Sequence, residues 1–134
     1  MRVLVAASHP VVRRGIRQVL MDGCWPCTVQ DARDNTEAET LVGREHWDLV
    51  VFDLSVVDQP GMASLSRVRN AIGTETPLIA VGMHAEVEFA RSALEAGADA
   101  FLLAERVDED LIETVRHVRR GEALMKVGPP RDGV

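Results

Sequence analysis

The sequence predicts a doubly wound α/β domain made of five strand–helix repeats. Short apolar runs, several of them rich in β-branched residues, recur at regular spacing, and segments with apolar residues at helical spacing separate them. The clearest runs are apolar throughout, which indicates that helices cover both faces of the predicted sheet. Connections of this length make successive strands parallel.

The elements follow one another in a regular order. The predicted strands cover 2–8, 28–32, 49–53, 77–82 and 100–104. The first helix begins near Pro10 and ends at Gly23, and the second runs from a cap at Asn35 or Thr36 to about Glu45. The third carries Leu65 and Val68, the fourth spans 86–96 and stops at Gly97, and the fifth runs from a cap at Asp108 to Gly121.

Composition limits the classes of function. The chain has 134 residues, 46% of them apolar, which suits one domain with its own core. We predict that this domain spans 1–121 and that 122–134 form a linker or C-terminal tail. The net charge of −6 argues against nucleic-acid binding by this domain. No apolar run is long enough to span a membrane and no signal peptide is evident, so we expect a cytoplasmic protein without membrane contacts.

The ends of the predicted strands are the positions to inspect for chemistry. In doubly wound folds, ligands bind at the carboxyl ends of the parallel strands, near the switch in strand order. The residues at these ends are Ala7 and Ser8, Asp53, Gly82 and Ala104. Asp53 is the one carboxylate in this set.

Several segments resemble receiver domains of the NarL/LuxR class of two-component response regulators. The segment RVLVAASHPVVRRGIRQVL resembles the first strand and helix of these domains, and WDLVVFDLS resembles their phosphoacceptor strand. SALEAGADAFLLAE resembles their fourth helix and fifth strand, and DEDLIETVRHVRRGEAL resembles their last helix. The resemblance covers about 2–125. It implies a flavodoxin-like strand order, 2-1-3-4-5, and it places the family's switch aromatic at Phe101.

The resemblance also implies which site residues have changed. The family holds Mg²⁺ with an acidic pair and the phosphoacceptor Asp, and it binds the phosphoryl group with a hydroxyl residue and a lysine. The phosphoacceptor position falls on Asp53. The acidic pair falls on Ala7 and Ser8, the hydroxyl residue on Gly82 and the lysine on Ala104. The domain is therefore identified as an atypical, degenerate member of the class.

These changes remove the groups that phosphorylation needs. Mg²⁺ prefers carboxylate oxygens, and phosphoryl transfer depends on cations that offset its charge. We therefore expect no catalytic residues, no metal site, no cofactor and no enzymatic activity. Asp58 or Asp48 could supply a substitute carboxylate, and Arg106 could reach the lost lysine's place. Ser8 is predicted to cap the first helix instead.

The sequence Cys24-Trp25-Pro26-Cys27 raises a separate question. A C-x-x-C motif can carry redox chemistry or bind zinc. Redox motifs follow a strand and open a helix, whereas this one follows a helix and precedes a strand, and no second pair of ligands is evident. Two loop cysteines in a reducing cytoplasm are the simpler interpretation.

The predicted function is that of a regulatory interaction module in signal transduction and transcription regulation. The resemblance implies a C-terminal helix-turn-helix DNA-binding domain if the full-length protein is longer, leaves room for a histidine kinase as a partner, and predicts a homodimer. Two dimer faces are candidates: one is the side of the fourth helix and fifth strand, and the favoured one combines the last helix with the first. In the favoured face, the arginines of the first helix could pair with Glu109, Asp110 or Glu113 of a partner. The charged residues of this face are Arg13, Arg14, Arg17, Glu109, Asp110, Glu113, Arg116, His117 and Arg120. Two alternatives remain: a phosphoacceptor modified on Asp53 in a phosphorelay, and a small-molecule sensor that uses the discharged pocket.

Overall fold

The computed structural model describes residues 1–23, 26–54, 61–83 and 87–125. The strands are β1 (Arg2–Ala6), β2 (Thr28–Ala32), β3 (Leu49–Asp53), β4 (Leu78–Gly82), β5 (Ala100–Leu103) and β6 (Leu124–Met125). The helices are α1 (Pro10–Gly23), α2 (Asn35–Arg44), α3 (Gly61–Ile72), α4 (Val87–Glu95) and α5 (Val107–Arg119). A turn of 3-10 helix, Ala104–Arg106, joins β5 to α5. No described helix is long and apolar enough to cross a membrane.

All strand pairs in the sheet are parallel, and the order is β2-β1-β3-β4-β5-β6. The first five strands confirm the predicted doubly wound fold and its order 2-1-3-4-5. The sixth strand was not predicted. It pairs Leu124 with Ala100 and Met125 with Phe101. Leu124 and Met125 therefore belong to the sheet, although they lie beyond the predicted domain boundary at 121. A two-residue strand carries no periodicity that a sequence pattern could reveal.

Helices cover both faces of the sheet, as the uninterrupted apolar strands predict. On one face α1 and α5 pack through side chains that include Ile16, Leu20, Leu111 and Val115. On the other face α2, α3 and α4 pack in a second core, whose largest buried side chains include Trp47, Phe52 and Phe101. Because residues two apart on a strand share a face, these two cores also fix which way each strand-end residue points.

The cap of α2 differs from the prediction. The side chain of Asp34 accepts a hydrogen bond of 2.8 Å from the backbone N–H of Glu37, so Asp34 caps the helix and Asn35 and Thr36 are already inside it. Glu37 in turn accepts a 2.6 Å hydrogen bond from the backbone N–H of Arg33. The two bonds satisfy the backbone N–H groups of Arg33 and Glu37, which flank the cap residue.

The start of α5 also differs from the prediction. The helix begins at Val107, and Arg106 occupies the cap position without a side-chain cap. Asp108 therefore lies in the first turn, where its charge favours the positive end of the helix dipole. The helix ends before Gly121, whose φ of 83° is a left-handed conformation that favours glycine.

Arg69 ties α3 to the loop before β5. Its guanidinium donates hydrogen bonds to the carbonyl oxygens of Gly97 (2.8 Å), Gly73 (2.8 Å) and Thr76 (2.9 Å), and to the carboxylate of Asp99 (2.7 Å). The Arg69 side chain is only 15% exposed. These bonds hold the amino ends of β4 and β5 in place, opposite the edge where the candidate site lies.

Candidate functional site at the carboxyl edge of the sheet

The strand-end residues singled out from the sequence lie at one edge of the sheet, which we call the carboxyl edge. Asp53 ends β3 and Gly82 ends β4, while Ala7 follows β1 and Ala104 follows β5. Asp53 is opposite Val81 in the β3–β4 pairing. The order of the strands places β3 and β4 between the ends of β1 and β5. Ser8 also lies here, exposed to solvent.

Asp53 is fully buried. It is two residues from Val51, whose side chain lies in the core under α1 and α5, and alternation along the strand puts Asp53 on that same face. Ala104 packs partly against the same core. The chain continues past Asp53 with a backbone hydrogen bond of 2.7 Å from Leu54 N–H to the Val81 carbonyl, which fixes the strand end.

An arginine approaches the positions of the acidic pair. Ala7 is fully buried. Its carbonyl oxygen accepts a 2.9 Å hydrogen bond from a guanidinium nitrogen of Arg13 on α1. Arg13 also lies 3.7 Å from the carboxylate of Asp31, which Arg17 contacts at 3.2 Å. A positive charge therefore occupies the end of β1.

Ser8 does not occupy the cap of α1. The helix begins at Pro10, and the carbonyl of His9 accepts the first helical hydrogen bond from Arg13 N–H at 2.9 Å. His9 is thus the boundary residue, and Ser8 precedes it. The prediction that Ser8 caps the helix is wrong by one position.

The described donors at the carboxyl edge do not fit Mg²⁺. This cation takes near-octahedral oxygen ligands, of which carboxylates supply the charge. Ala7 offers no side-chain oxygen, and its carbonyl already accepts from Arg13. Among the residues that the structure describes, no group of three or more His, Cys, Asp or Glu side chains is arranged to hold a metal ion.

Aromatic rings fill the space beside Gly82. A Cβ atom on this glycine would lie 2.8 Å from Phe101 Cε1 and 2.9 Å from Phe89 Cε2, closer than real Cβ contacts come. The two rings meet edge to face, with centroids 5.8 Å apart and planes at 76°. Phe101 is fully buried. Any side chain at position 82 would therefore displace one of these rings.

Arg106 does not take the place of a lysine at Ala104. Its guanidinium contacts Glu109 at 2.9 Å and Asp110 at 3.1 Å, both on α5. The hydrogen bond that Arg106 donates to Asp110 raises the pKa of Arg106 above its ordinary value. Ala104 leaves open space instead. A cavity of about 230 Å³, which we call the β4–β5 cavity, is lined by Gly82, Met83, Leu103, Ala104 and Glu105.

The two proposed substitute carboxylates do not join the described part of the site. Asp48 precedes β3, at the opposite end of that strand from Asp53. It accepts a 2.7 Å hydrogen bond from Arg2 N–H, which lowers the pKa of Asp48. Asp58 lies outside the described residues. Of the cysteine motif, Cys24 and Trp25 also lie outside them, and Cys27 is a free, half-buried thiol.

Sequence reasoning missed Arg13 and Glu105 as residues of this edge. Arg13 was predicted to face a partner chain. Its position one turn into the helix that follows β1 is the one signal that could have assigned it to the carboxyl edge. Glu105 follows the last residue of the predicted fifth strand, where a loop charge is usual. Neither residue type at these positions indicates a site by itself.

Comparison with known proteins gives a consistent result. Residues 3–116 match the model of the response regulator receiver domain. The nitrate/nitrite response regulator protein NarP of Escherichia coli is 29% identical over 124 residues, which are 92% of this chain and 57% of NarP. A two-component response regulator of the LuxR family from Aurantimonas sp. SI85-9A1 is 27% identical, with a TM-score of 0.82 over 92% of this chain and 88% of that one.

A second solved structure extends the comparison. A LuxR family DNA-binding response regulator from Silicibacter pomeroyi is 26% identical, with a TM-score of 0.76 and 98% of both chains covered. The chain spans about three-fifths of the length of the curated relatives it matches.

Proposed function

Because the chain belongs to the response regulator receiver domain family, we propose that it is an atypical receiver that signals through protein contacts independently of phosphorylation at Asp53. The observation that carries the proposal is the packing at Gly82. The space that a hydroxyl side chain would need is already taken by Phe101 and Phe89. The end of β4 then has no side chain with which to sense a phosphoryl group on Asp53.

The charges of the carboxyl edge support the same proposal. A phosphoryl group on Asp53 would add roughly −1.5 to −2 charges. Neither of the cations that the family uses is available, since the described donors do not fit Mg²⁺ and Ala104 replaces the lysine. Arg13 is held at the end of β1 by Ala7 and Asp31. Transfer to Asp53 would therefore lack the electrostatic stabilisation on which it relies.

The partners belong to the proposal as well. The relatives include regulators of the LuxR family, one of them DNA-binding. We place this domain at the head of a transcription regulator whose DNA-binding part follows it, with a histidine kinase as an upstream partner only if Asp53 is modified. Self-association through α1 and α5 would transmit the signal, as twofold pairing is the common arrangement of homo-oligomers.

Exposure to acetyl phosphate and Mg²⁺, followed by intact-mass spectrometry, tests the proposal. We expect no phosphoryl adduct on the wild-type chain. The matched positive control restores the family's groups in one variant, Ala7→Asp, Ser8→Asp, Gly82→Thr and Ala104→Lys, and its fold is checked by circular dichroism. A wild-type adduct that disappears in Asp53→Asn would overturn the proposal in favour of a phosphoacceptor role.

A further inference from the structure

We propose that the β4–β5 cavity binds a short alkylammonium group, supplied either by a free amine or by the lysine side chain of another molecule. The inference does not depend on whether Asp53 is phosphorylated. It rests on the size of the cavity, its apolar walls and the sign of the charges around it.

Size restricts the ligand to a small one. Pockets for drug-sized molecules measure roughly 300–1,000 Å³, whereas the β4–β5 cavity measures about 230 Å³. Its walls are mainly apolar and come from Leu103, Ala104 and Met83, with the backbone of Gly82 at one side. Met83 is 64% exposed, so its flexible thioether forms an adaptable rim. A chain of a few methylene groups suits these walls.

Charge selects a cation. Glu105 is the charged residue of the lining and is exposed, and none of the lining residues is a lysine or an arginine. A positively charged group that enters between β4 and β5 therefore meets a carboxylate at the rim.

Two arginines beside the carboxyl edge already bind other groups. Arg106 is bonded to Glu109 and Asp110 on α5. Arg13 donates to the carbonyl of Ala7 at the end of β1. The single lysine of the chain, Lys126, lies outside the described residues. An external ammonium group is thus the complement that the described part of the cavity lacks.

Titration monitored by amide chemical shifts tests the inference. The probes are n-butylammonium chloride, its neutral isostere 1-butanol, and Nα-acetyl-lysine N-methylamide. We expect saturable shifts at Gly82, Ala104 and Glu105 with millimolar affinity for at least one of the two amines. Binding of butylammonium alone identifies a free amine as the ligand, and binding of the lysine derivative alone identifies a protein side chain. Equal binding of 1-butanol would overturn the role of charge.

Two variants and one control make the result specific. Glu105→Gln removes the rim charge and should weaken amine binding about two- to fivefold, the range of an exposed ion pair. Ala104→Leu fills the cavity and should abolish binding, with the fold checked from the amide spectrum. Glu75→Gln removes an exposed carboxylate before β4, at the opposite end of that strand, and should leave the affinity unchanged. Unchanged binding in both Glu105→Gln and Ala104→Leu would contradict the proposed site.

Discussion

The ring of Phe101 lies where a side chain on Gly82 would begin: its Cε1 atom is 2.8 Å from the position of a Cβ atom on that glycine. Phe101 is on β5 and Gly82 ends the adjacent strand, where it pairs with Leu103. The aromatic side chain is fully buried against Phe89 of α4. The absence of a side chain on β4 and the inward position of the ring on β5 are therefore two aspects of one packing arrangement.

Gly82→Ala should destabilise the domain. The added methyl group must push aside Phe101 or Phe89, and overpacking of this kind costs about 1–3 kcal/mol. Urea unfolding measures the loss. Gly15→Ala is the matched control, because a Cβ on this exposed glycine of α1 meets nothing within 4 Å. It should stabilise the domain by about 0.5–1 kcal/mol, the usual gain from replacing a glycine inside a helix.

A double mutant separates ring contact from backbone effects at Gly82. Adding Phe89→Leu to Gly82→Ala gives a smaller side chain that can move aside. The double variant should then lose less stability than the sum of the two single variants. Simple additivity of the two losses would show that the methyl group does not act through Phe89.

More of the fold than of the candidate site could be predicted from the sequence, for physical reasons. Burial on two sides makes strands such as β3 uninterruptedly apolar, and that signal is visible in LVVFD. Helix caps proved less certain: Asp34, Asn35 and Thr36 are all good cap residues, and only the bond from Glu37 decides among them. The strand order came from family resemblance, because periodicity within one element says nothing about its neighbours.

The site depends on contacts that no local pattern contains. The sequence shows that Gly82 lacks a hydroxyl, but the rings that fill its place come from residues 7 and 19 positions later. In the same way, nothing in the sequence near Arg69 indicates that its guanidinium will bind three carbonyl groups and Asp99. Such contacts arise only when distant segments pack together.

Arg69→Met should be among the most destabilising substitutions outside the apolar core. It keeps much of the aliphatic packing but removes the hydrogen bonds to three carbonyl groups and leaves the Asp99 carboxylate with only the bond from Leu78 N–H among those described, a loss of about 3 kcal/mol. Arg69→Lys should fall between, because an ammonium cannot reproduce the planar fork. Arg33→Lys is the control: this side chain is 75% exposed and lies 3.9 Å from Glu37. Equal losses from the two lysine variants would contradict the assignment.

Stability should fall in acid partly through Glu39. A hydrogen bond that Arg67 donates to its carboxylate, helped by a second one from Ser64, lowers the pKa of Glu39 below the ordinary value of 4.5. A carboxylate with a lowered native pKa stabilises the fold above its unfolded pKa and loses that contribution as pH falls through the native value. Glu39→Gln should therefore flatten the acid limb of the unfolding free energy below about pH 4.5. Arg67→Gln should flatten it similarly, and a limb unchanged in both variants would refute the link.

The ion pairs predicted across the proposed dimer face need revision, because several of their charged groups already bind within the chain. Asp110 is buried and bonded to Arg106, so it cannot meet an arginine of a partner. Arg13 and Arg17 already contact Asp31 of their own chain. Since exposed ion pairs contribute only about 0.2–1 kcal/mol each, apolar contact must supply most of the dimer's stability. On α1, Val11 and Met21 are 80% and 55% exposed and can supply that contact.

Val11→Glu combined with Met21→Glu should abolish self-association of the domain. The two side chains lie on the solvent side of α1, which packs beside α5 on one face of the sheet. Charging them leaves the core unchanged but places carboxylates where two copies would meet. Sedimentation across micromolar to near-millimolar concentrations measures the effect. Val87→Glu is the control, because Val87 is 44% exposed on α4, a helix on the opposite face of the sheet. A dimer that persists in the double variant and dissociates in the control would place the interface on α4 instead.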